Sequence, residues 1–238
     1  MRLRDAFRSA GTKGPYVRTL FATIADRYDL ITVILSYGRD RAWKRRLVAL
    51  AGPLAGRCAA DLACGTGDIA LLLATSGARV VGLDITPRML ALARQKPSPR
   101  GAVPRYVAGD MSDLPFQDAS FDVVTTGYGL RNVPDLPRSI QEIARILKPG
   151  GLFLSLDFNR PRRAGVRFVY RVYLTLVGSA LGWILHGNAD TYRYIPESIR
   201  HYPGANAVVS ILRQHGFHDA RWHPVLGGLM AIHEGRRA

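Results

Sequence analysis

The stretch that decides the fold is Asp61–Ala70, "DLACGTGDIA". A small apolar run, Cys58-Ala59-Ala60, leads into it and a leucine run, Leu71-Leu72-Leu73, leads out, so strand, glycine turn and helix are written almost consecutively. Gly65, Gly67 and Ala70 fit the G-x-G-x-x-G/A spacing of a dinucleotide site, in which glycines let the backbone approach a ligand and the helix start offers unpaired N–H groups. The same letters suit a ligand without phosphate, whose carboxylate takes the turn while an acid ahead of it takes an ammonium. Asp61 is such an acid.

Working outward, strand-length apolar runs recur at Arg79–Ile85, Arg105–Ala108, Phe121–Thr126 and Gly151–Phe158. Helical patterns lie between them at Pro87–Gln95 and Pro137–Leu147, the second closing on Lys148-Pro149-Gly150-Gly151. Such alternation predicts an α/β fold with a mainly parallel sheet covered on both faces, and a ligand beyond the carboxyl ends of the strands. After Phe158 the pattern changes to a basic turn, "NRPRR", and a long helix over Gly165–His186. A short helix near Ala207–Gln214 and strand pieces near Ala220–Val225 and Leu229–His233 follow. The expectation is a flexible basic N-terminus over 1–14 and one domain over 15–238, with a helical cover inserted at about 159–205.

Three acids stand at successive strand ends. Asp84 closes the second strand, where a carboxylate can accept from two ribose hydroxyls. Asp110 closes the third in "AGDMSDLPF", within reach of an adenine amino group, with Met111 as an apolar wall. Taken singly, Asp84 could cap the next helix and Asp110 could be a turn residue. Their succession favours an adenosine joined to an amino acid, S-adenosylmethionine, over a dinucleotide.

The chain has 238 residues, 47% hydrophobic and 21% charged, with formal charge +15. That composition is globular and the charge favours anionic partners without choosing among nucleic acid, acidic lipid and acidic substrate. The two cysteines, Cys58 and Cys64, give no disulfide framework, and the basic start lacks a signal-peptide core, so a cytoplasmic protein is expected. The apolar run Val172–Leu185 is expected to be too short for a straight bilayer crossing and to form a buried or interfacial helix. No His/Cys/Asp/Glu grouping has metal-ligand spacing.

The ordered set "DLACGTGD", "GLDITPRML", "GDMSDLPFQDASFD", "GLRNV", "RILKPGG", "NADTYRYIPESI" and "GGLMAIHEG" resembles the ubiquinone/menaquinone biosynthesis C-methyltransferases of the UbiE/MenG type over nearly all of Phe21 to Gly235. The first and fifth motifs are shared by many methyltransferases, whereas "GLRNV" with "YRYIPESI" is far more restricted. The resemblance implies a Rossmann-like class I methyltransferase fold with a seven-stranded sheet. It also implies C-methylation of a prenylated hydroquinone, demethylmenaquinol or a ubiquinone precursor. Carried over, Thr66 with Gly65 and Gly67 contacts the methionine part, Asp84 the ribose, and Asp110 with Met111 the adenine. A family serine is Gly127 here, and "LDFNRP" stands for the commoner "LEFSKP", shortening a glutamate to Asp157.

The chemistry asks for an electron-rich ring carbon behind the methyl and for a base or polarised water at the phenol beside it. Arg131 and Asn132 after the fourth strand are the expected catalytic pair, Arg131 steadying a phenolate or holding a water and Asn132 orienting the ring oxygens. The alternative pairs Arg131 with Asp135 and makes Asn132 a turn cap. His201 is the candidate imidazole base, and Tyr28, Tyr128, Tyr192 and Arg193 are candidates to wall the acceptor. Phe21, Ile24 and Tyr28 lie at helical spacing and suit a helix over the cofactor, or plain core.

A prenylated acceptor lives in a bilayer, so peripheral contact at the inner face of a membrane is expected through Val166 to Leu185 and Arg160, Arg162, Arg163, Arg167 and Arg171. A homodimer is among the expectations, though no segment is assigned to it. Competing readings are a related methyltransferase of another aromatic or indole-like molecule, a nucleic-acid methyltransferase and an NAD-binding Rossmann protein. Nucleic acid is disfavoured because no N-P-P-Y-type tetrapeptide follows the fourth strand.

Overall fold

The computed structural model describes residues 3, 7, 10–161, 164–188 and 190–238. Arg162 and Arg163 of the basic turn lie outside the described residues, as do 1, 2, 4–6, 8 and 9 of the N-terminal segment.

Seven strands form one sheet in the order β3-β2-β1-β4-β5-β7-β6. They are β1 Cys58–Leu62, β2 Arg79–Asp84, β3 Arg105–Ala108, β4 Phe121–Gly127, β5 Leu147–Phe158, β6 Phe217–Val225 and β7 Met230–Arg237. The first five run parallel, while β7 inserts antiparallel between β5 and β6. The order reverses between β1 and β4, and a ligand crevice opens at such a switch point.

The central strands β1, β4 and β5 run buried on both faces without regular polar alternation, while β3 and β6 at the sheet edges are partly exposed. Along β4 and β5, Val123, Leu152, Leu154 and Leu156 face one hydrophobic cluster, and Val124 and Phe153 face the other. Helices α3 (Asp40–Leu50) and α4 (Asp68–Thr75) cover the first side. On the second side lie α6 (Leu136–Ile146) and α9 (Ala205–Gln214), with α5 (Pro87–Gln95) following β2. In α6, Ile140, Ile143 and Ile146 recur on one face and are fully buried, each contributing about 1.5–3 kcal/mol. Asp135 caps that helix by accepting from the Arg138 amide at 3.0 Å.

Four helices build the cover. They are α1 (Ala10–Ile24), α2 (Tyr28–Leu35), α7 (Ala164–His186) and α8 (Asp190–His201). Helix α1 begins inside the segment expected to be flexible. Ile24, Ile31 and Tyr192 give the cover a small core of its own. The apolar run at Val172–Leu185 belongs to a 23-residue helix, α7, long and apolar enough by length and composition to cross a membrane, against the expectation of a run too short. Its Leu174, Gly178 and Gly182 are buried, and a Cβ on Gly178 would come within 3.2 Å of the Tyr192 carbonyl. The helix packs along one side against α8 and leaves its other sides largely exposed.

Candidate active site

The residues immediately after β1 and β4, Ala63 and Tyr128, both have positive φ, 50° and 60°. For non-glycine residues such backbone costs energy and clusters at functional sites. Here it turns the chain away at the two strand ends that flank the switch point, opening a cleft. Ala63, Gly65, Asp84, Asp110, Met111 and Gly127 line it, so the acids at the second and third strand ends share one wall with the glycine turn.

Asp84 is held ready by two amides, Gly65 N–H at 2.8 Å and Thr86 N–H at 2.8 Å. Burial pushes its carboxyl up, and those two amides work against that shift. A Cβ on Gly129 would stand 2.3 Å from Thr126 Oγ1, and one on Gly109 2.8 Å from Leu83 Cδ1. Both glycines line the cleft and pack tightly against neighbouring side chains there. The cover closes it through Gly14, Val17 and Phe21 of α1. Lys13 latches that helix, donating to the carbonyls of Arg131 at 2.9 Å and Val133 at 2.7 Å. Burial and nearby Arg131 lower its pKa to about 8.

A smaller cavity continues from the cleft past Gly65 and takes in Asp61, Thr66, Lys44 and Asp68. Asp61 is fully buried, accepts from Ala70 N–H at 3.0 Å and Thr125 Oγ1–H at 2.8 Å, and has its pKa raised by burial to about 7. Lys44 sits 2.6 Å from Asp40 and 2.8 Å from Asp68. The residues fit S-adenosylmethionine: Asp84, Asp110 and Met111 would hold its adenosine and Asp61 its ammonium, while Lys44 is already paired with Asp40 and Asp68.

Two turn residues do other work. Thr66 donates to Asp29 at 2.5 Å and accepts from Lys96 at 2.9 Å, so its hydroxyl ties the turn to α2 and α5. Gly67 has φ +82°, and a Cβ there would meet Tyr106 Oη at 2.4 Å, which makes it a packing glycine at the start of α4 and not a cleft residue.

A second cavity shares Phe21, Tyr28 and Tyr128 with the first. Its wall is largely aromatic and aliphatic, Trp43, Phe158, Tyr170, Tyr192 and Tyr194 included, and Arg131 is the charged side chain among its described lining residues. Arg131 pairs with Asp157 at 3.0 Å and not with Asp135, and its guanidinium carbon lies 4.8 Å from the centroid of Phe158. Both partners are buried, and the Arg131 Nε–H has no partner among the described residues. Asn132 donates to the Tyr128 carbonyl at 2.7 Å and accepts from Tyr194 Oη–H at 3.0 Å. It therefore steadies Tyr194 from the donor side.

Tyr28, Tyr128 and Tyr192 fall on the second cavity as expected. His201 and Arg193 do not. His201 ends α8, stacks on Phe7 with ring centroids 4.4 Å apart and lines neither cavity. Arg193 points to Ser179 on α7, 3.2 Å away, and lines an outer groove. Both lie on helical faces turned from the sheet, where a motif match carries no information about direction. Lys13, Lys44 and Asp40 were not singled out from the sequence; the lysines read as surface charge in a chain of +15.

Fold and cleft together define a class I S-adenosylmethionine-dependent methyltransferase. Among solved structures the fold is shared with magnesium protoporphyrin IX methyltransferase from Synechocystis, at TM-score 0.67 and 20% identity, covering 94% of this chain and 99% of that one. A Thermotoga maritima methyltransferase gives TM-score 0.66 at 18% identity, covering 93% and 100%. Residues 9–237 match the ubiE/COQ5 methyltransferase family, and the chain belongs to it. A demethylmenaquinone methyltransferase of Thermus thermophilus is 42% identical over 92% of this chain and all of its own. A ubiquinone/menaquinone biosynthesis C-methyltransferase of Rubrivivax gelatinosus is 36% identical over 93% and 87%.

Proposed function

We propose that the protein methylates a ring carbon of a prenylated hydroquinone of the demethylmenaquinol type. The observation that carries this is the second cavity, apolar, aromatic and joined to the donor cleft through Phe21, Tyr28 and Tyr128, with Arg131 as its charged group. Bound in the cleft, S-adenosylmethionine supplies a methyl group on a sulfonium. Phe21, Tyr28 and Tyr128 stand where ring and methyl meet, and they exclude water from a reaction between an electron-rich carbon and a cationic donor.

Arg131 is not the base, since its pairing with Asp157 holds its proton more firmly than usual. It serves as a fixed cation whose Nε–H, without a partner among the described residues, can donate to the phenolic oxygen as that oxygen's proton leaves to water, which also takes the proton lost from the methylated ring carbon. Asp157 orients it, and Asn132 holds Tyr194 against the ring.

The acceptor is membrane-held, and the protein meets an anionic membrane surface peripherally through α7 and Arg160, Arg167 and Arg171. Labelled methyl transfer from S-adenosylmethionine to demethylmenaquinol, to the ubiquinone precursor and to a panel of soluble phenols and indoles tests the acceptor. Label confined to a soluble compound rejects the quinol reading. Failure to sediment with anionic liposomes at low salt rejects the membrane contact.

A further inference from the structure

We infer that the second cavity opens between α2 and α7, at the stacked rings of Tyr37 and Tyr173, and that the acceptor's isoprenoid tail enters there directly from an anionic bilayer. This rests on the acceptor being prenylated, as proposed above.

The opening is located by Tyr37. It lines the cavity and is also 61% exposed, so at this residue the interior meets the outside. Its ring stacks on Tyr173 of α7 with centroids 5.7 Å apart, closing the mouth with two amphipathic side chains of the kind found at membrane interfaces. Tyr170, three positions before Tyr173 and on the inner side of α7, lines the cavity itself.

The surface around the mouth is apolar on both helices. On α2, Leu30 is 53% and Val33 51% exposed. On α7, Val169 and Leu176 are each 66% exposed, and Ile184 68%. Val169, Tyr173, Leu176, Ala180 and Ile184 recur at helical spacing and form a stripe along α7 that runs away from the mouth. Contiguous apolar surface of this sort marks a binding face.

Charge selects the occupant. Exposed Arg39 stands two residues past Tyr37, exposed Arg41 and Arg45 follow it on α3, and exposed Arg167 and Arg171 sit at the start of α7. Cations bordering an apolar face suit a bilayer with anionic headgroups, the apolar side chains reaching the acyl region and the guanidiniums the phosphates. A second copy of a chain of charge +15 would bring these same arginines against each other. With the mouth at the acyl boundary, the tail stays in lipid while the ring reaches Arg131, and the long chain never crosses water.

The test uses Val33→Asp and Val169→Asp, both at exposed positions outside the cavity lining. Methyl transfer is measured with long-tailed demethylmenaquinol in phosphatidylglycerol-containing vesicles, and with tail-less naphthohydroquinone in solution, under reducing conditions. A carboxylate forced toward the acyl region is unfavourable enough to lower kcat/KM on the vesicle-held acceptor by about tenfold or more. Turnover of the tail-less acceptor and affinity for S-adenosylhomocysteine stay within about twofold of wild type, since neither depends on insertion. Wild-type rates on the vesicle-held acceptor, or equal losses on both acceptors, overturn the mouth. A wild-type protein inert toward both acceptors, with S-adenosylhomocysteine still bound, overturns the acceptor assignment instead.

Discussion

Removing the two halves of the Arg131–Asp157 pair should have unequal costs, and the inequality comes from chemistry that the structure isolates. Asp157 is fully buried and accepts from Arg131 Nη1 at 3.0 Å, Arg131 N at 3.1 Å and Phe158 N at 2.8 Å. Asp157→Ala leaves a buried guanidinium that cannot give up its proton, and stranding one member of a buried pair costs about 3–5 kcal/mol. For a chain of this size each kcal/mol moves Tm by about 2–4 °C, so a drop of roughly 6–20 °C is expected. Arg131→Met leaves a carboxyl that can escape by binding a proton. Burial already pushes Asp157 up, and Arg131 is the largest influence holding it down. With the arginine gone its folded pKa rises further above the unfolded value. The folded state then binds the extra proton, and stability falls as pH rises from the unfolded carboxyl range through the raised value. Urea unfolding at about pH 5 and pH 8 should therefore show Arg131→Met regaining stability at the lower pH, beyond any change in wild type, while Asp157→Ala shows no such gain. The double variant Arg131→Met/Asp157→Leu should recover most of the loss of Asp157→Ala. Equal costs for the two single variants at both pH values would refute this account of the site's central ion pair.

Other outcomes follow from single groups. Asp61, with a pKa raised to about 7, is neutral below that pH, so calorimetric affinity for S-adenosylhomocysteine should weaken as pH falls from about 8 to 6, and Asp61→Asn should remove that dependence. A flat wild-type profile would take Asp61 out of the ammonium site. His233 is fully buried and its pKa is lowered by burial to about 4, so the unfolded chain binds the proton first and stability is lost as pH falls from about 6.5 toward 4. His233→Leu should flatten that acid limb in thermal melts, and an unchanged limb counts against a neutral buried imidazole. Lys13→Met frees α1 from the Arg131 and Val133 carbonyls, and stopped-flow release of S-adenosylhomocysteine should be faster by about 3–10-fold, the net worth of about one ordinary hydrogen bond. An unchanged off-rate would mean that α1 does not gate the cleft. Gly67→Ala must hold a Cβ at φ +82° against Tyr106, and a loss of at least about 1–2 kcal/mol in urea unfolding is expected.

By itself the sequence determined what short-range chemistry writes. The glycine turn Gly65-Thr66-Gly67 between an apolar run and a leucine run, and the acids at the strand ends, are local patterns, because backbone freedom at glycine and the period of a buried strand act within a few residues. From them the parallel sheet and the donor cleft were legible, while the family was legible from the ordered motifs, "GLRNV" with "YRYIPESI" above all; Asp84, Asp110 and Met111 line the cleft. Direction and partnership across the chain were decided only by tertiary structure. Arg131 finds Asp157, 26 residues away, in preference to the nearer Asp135, which is already committed to capping α6. Lys13 reaches a loop 118 residues on, and Lys44 arrives beside Asp61 because α3 packs over the glycine turn. His201 shows the converse, a residue in a restricted motif whose helix turns it to Phe7 on the outside. A long side chain's role depends on which buried opposite charge or carbonyl it meets, and burial is set by packing between distant elements.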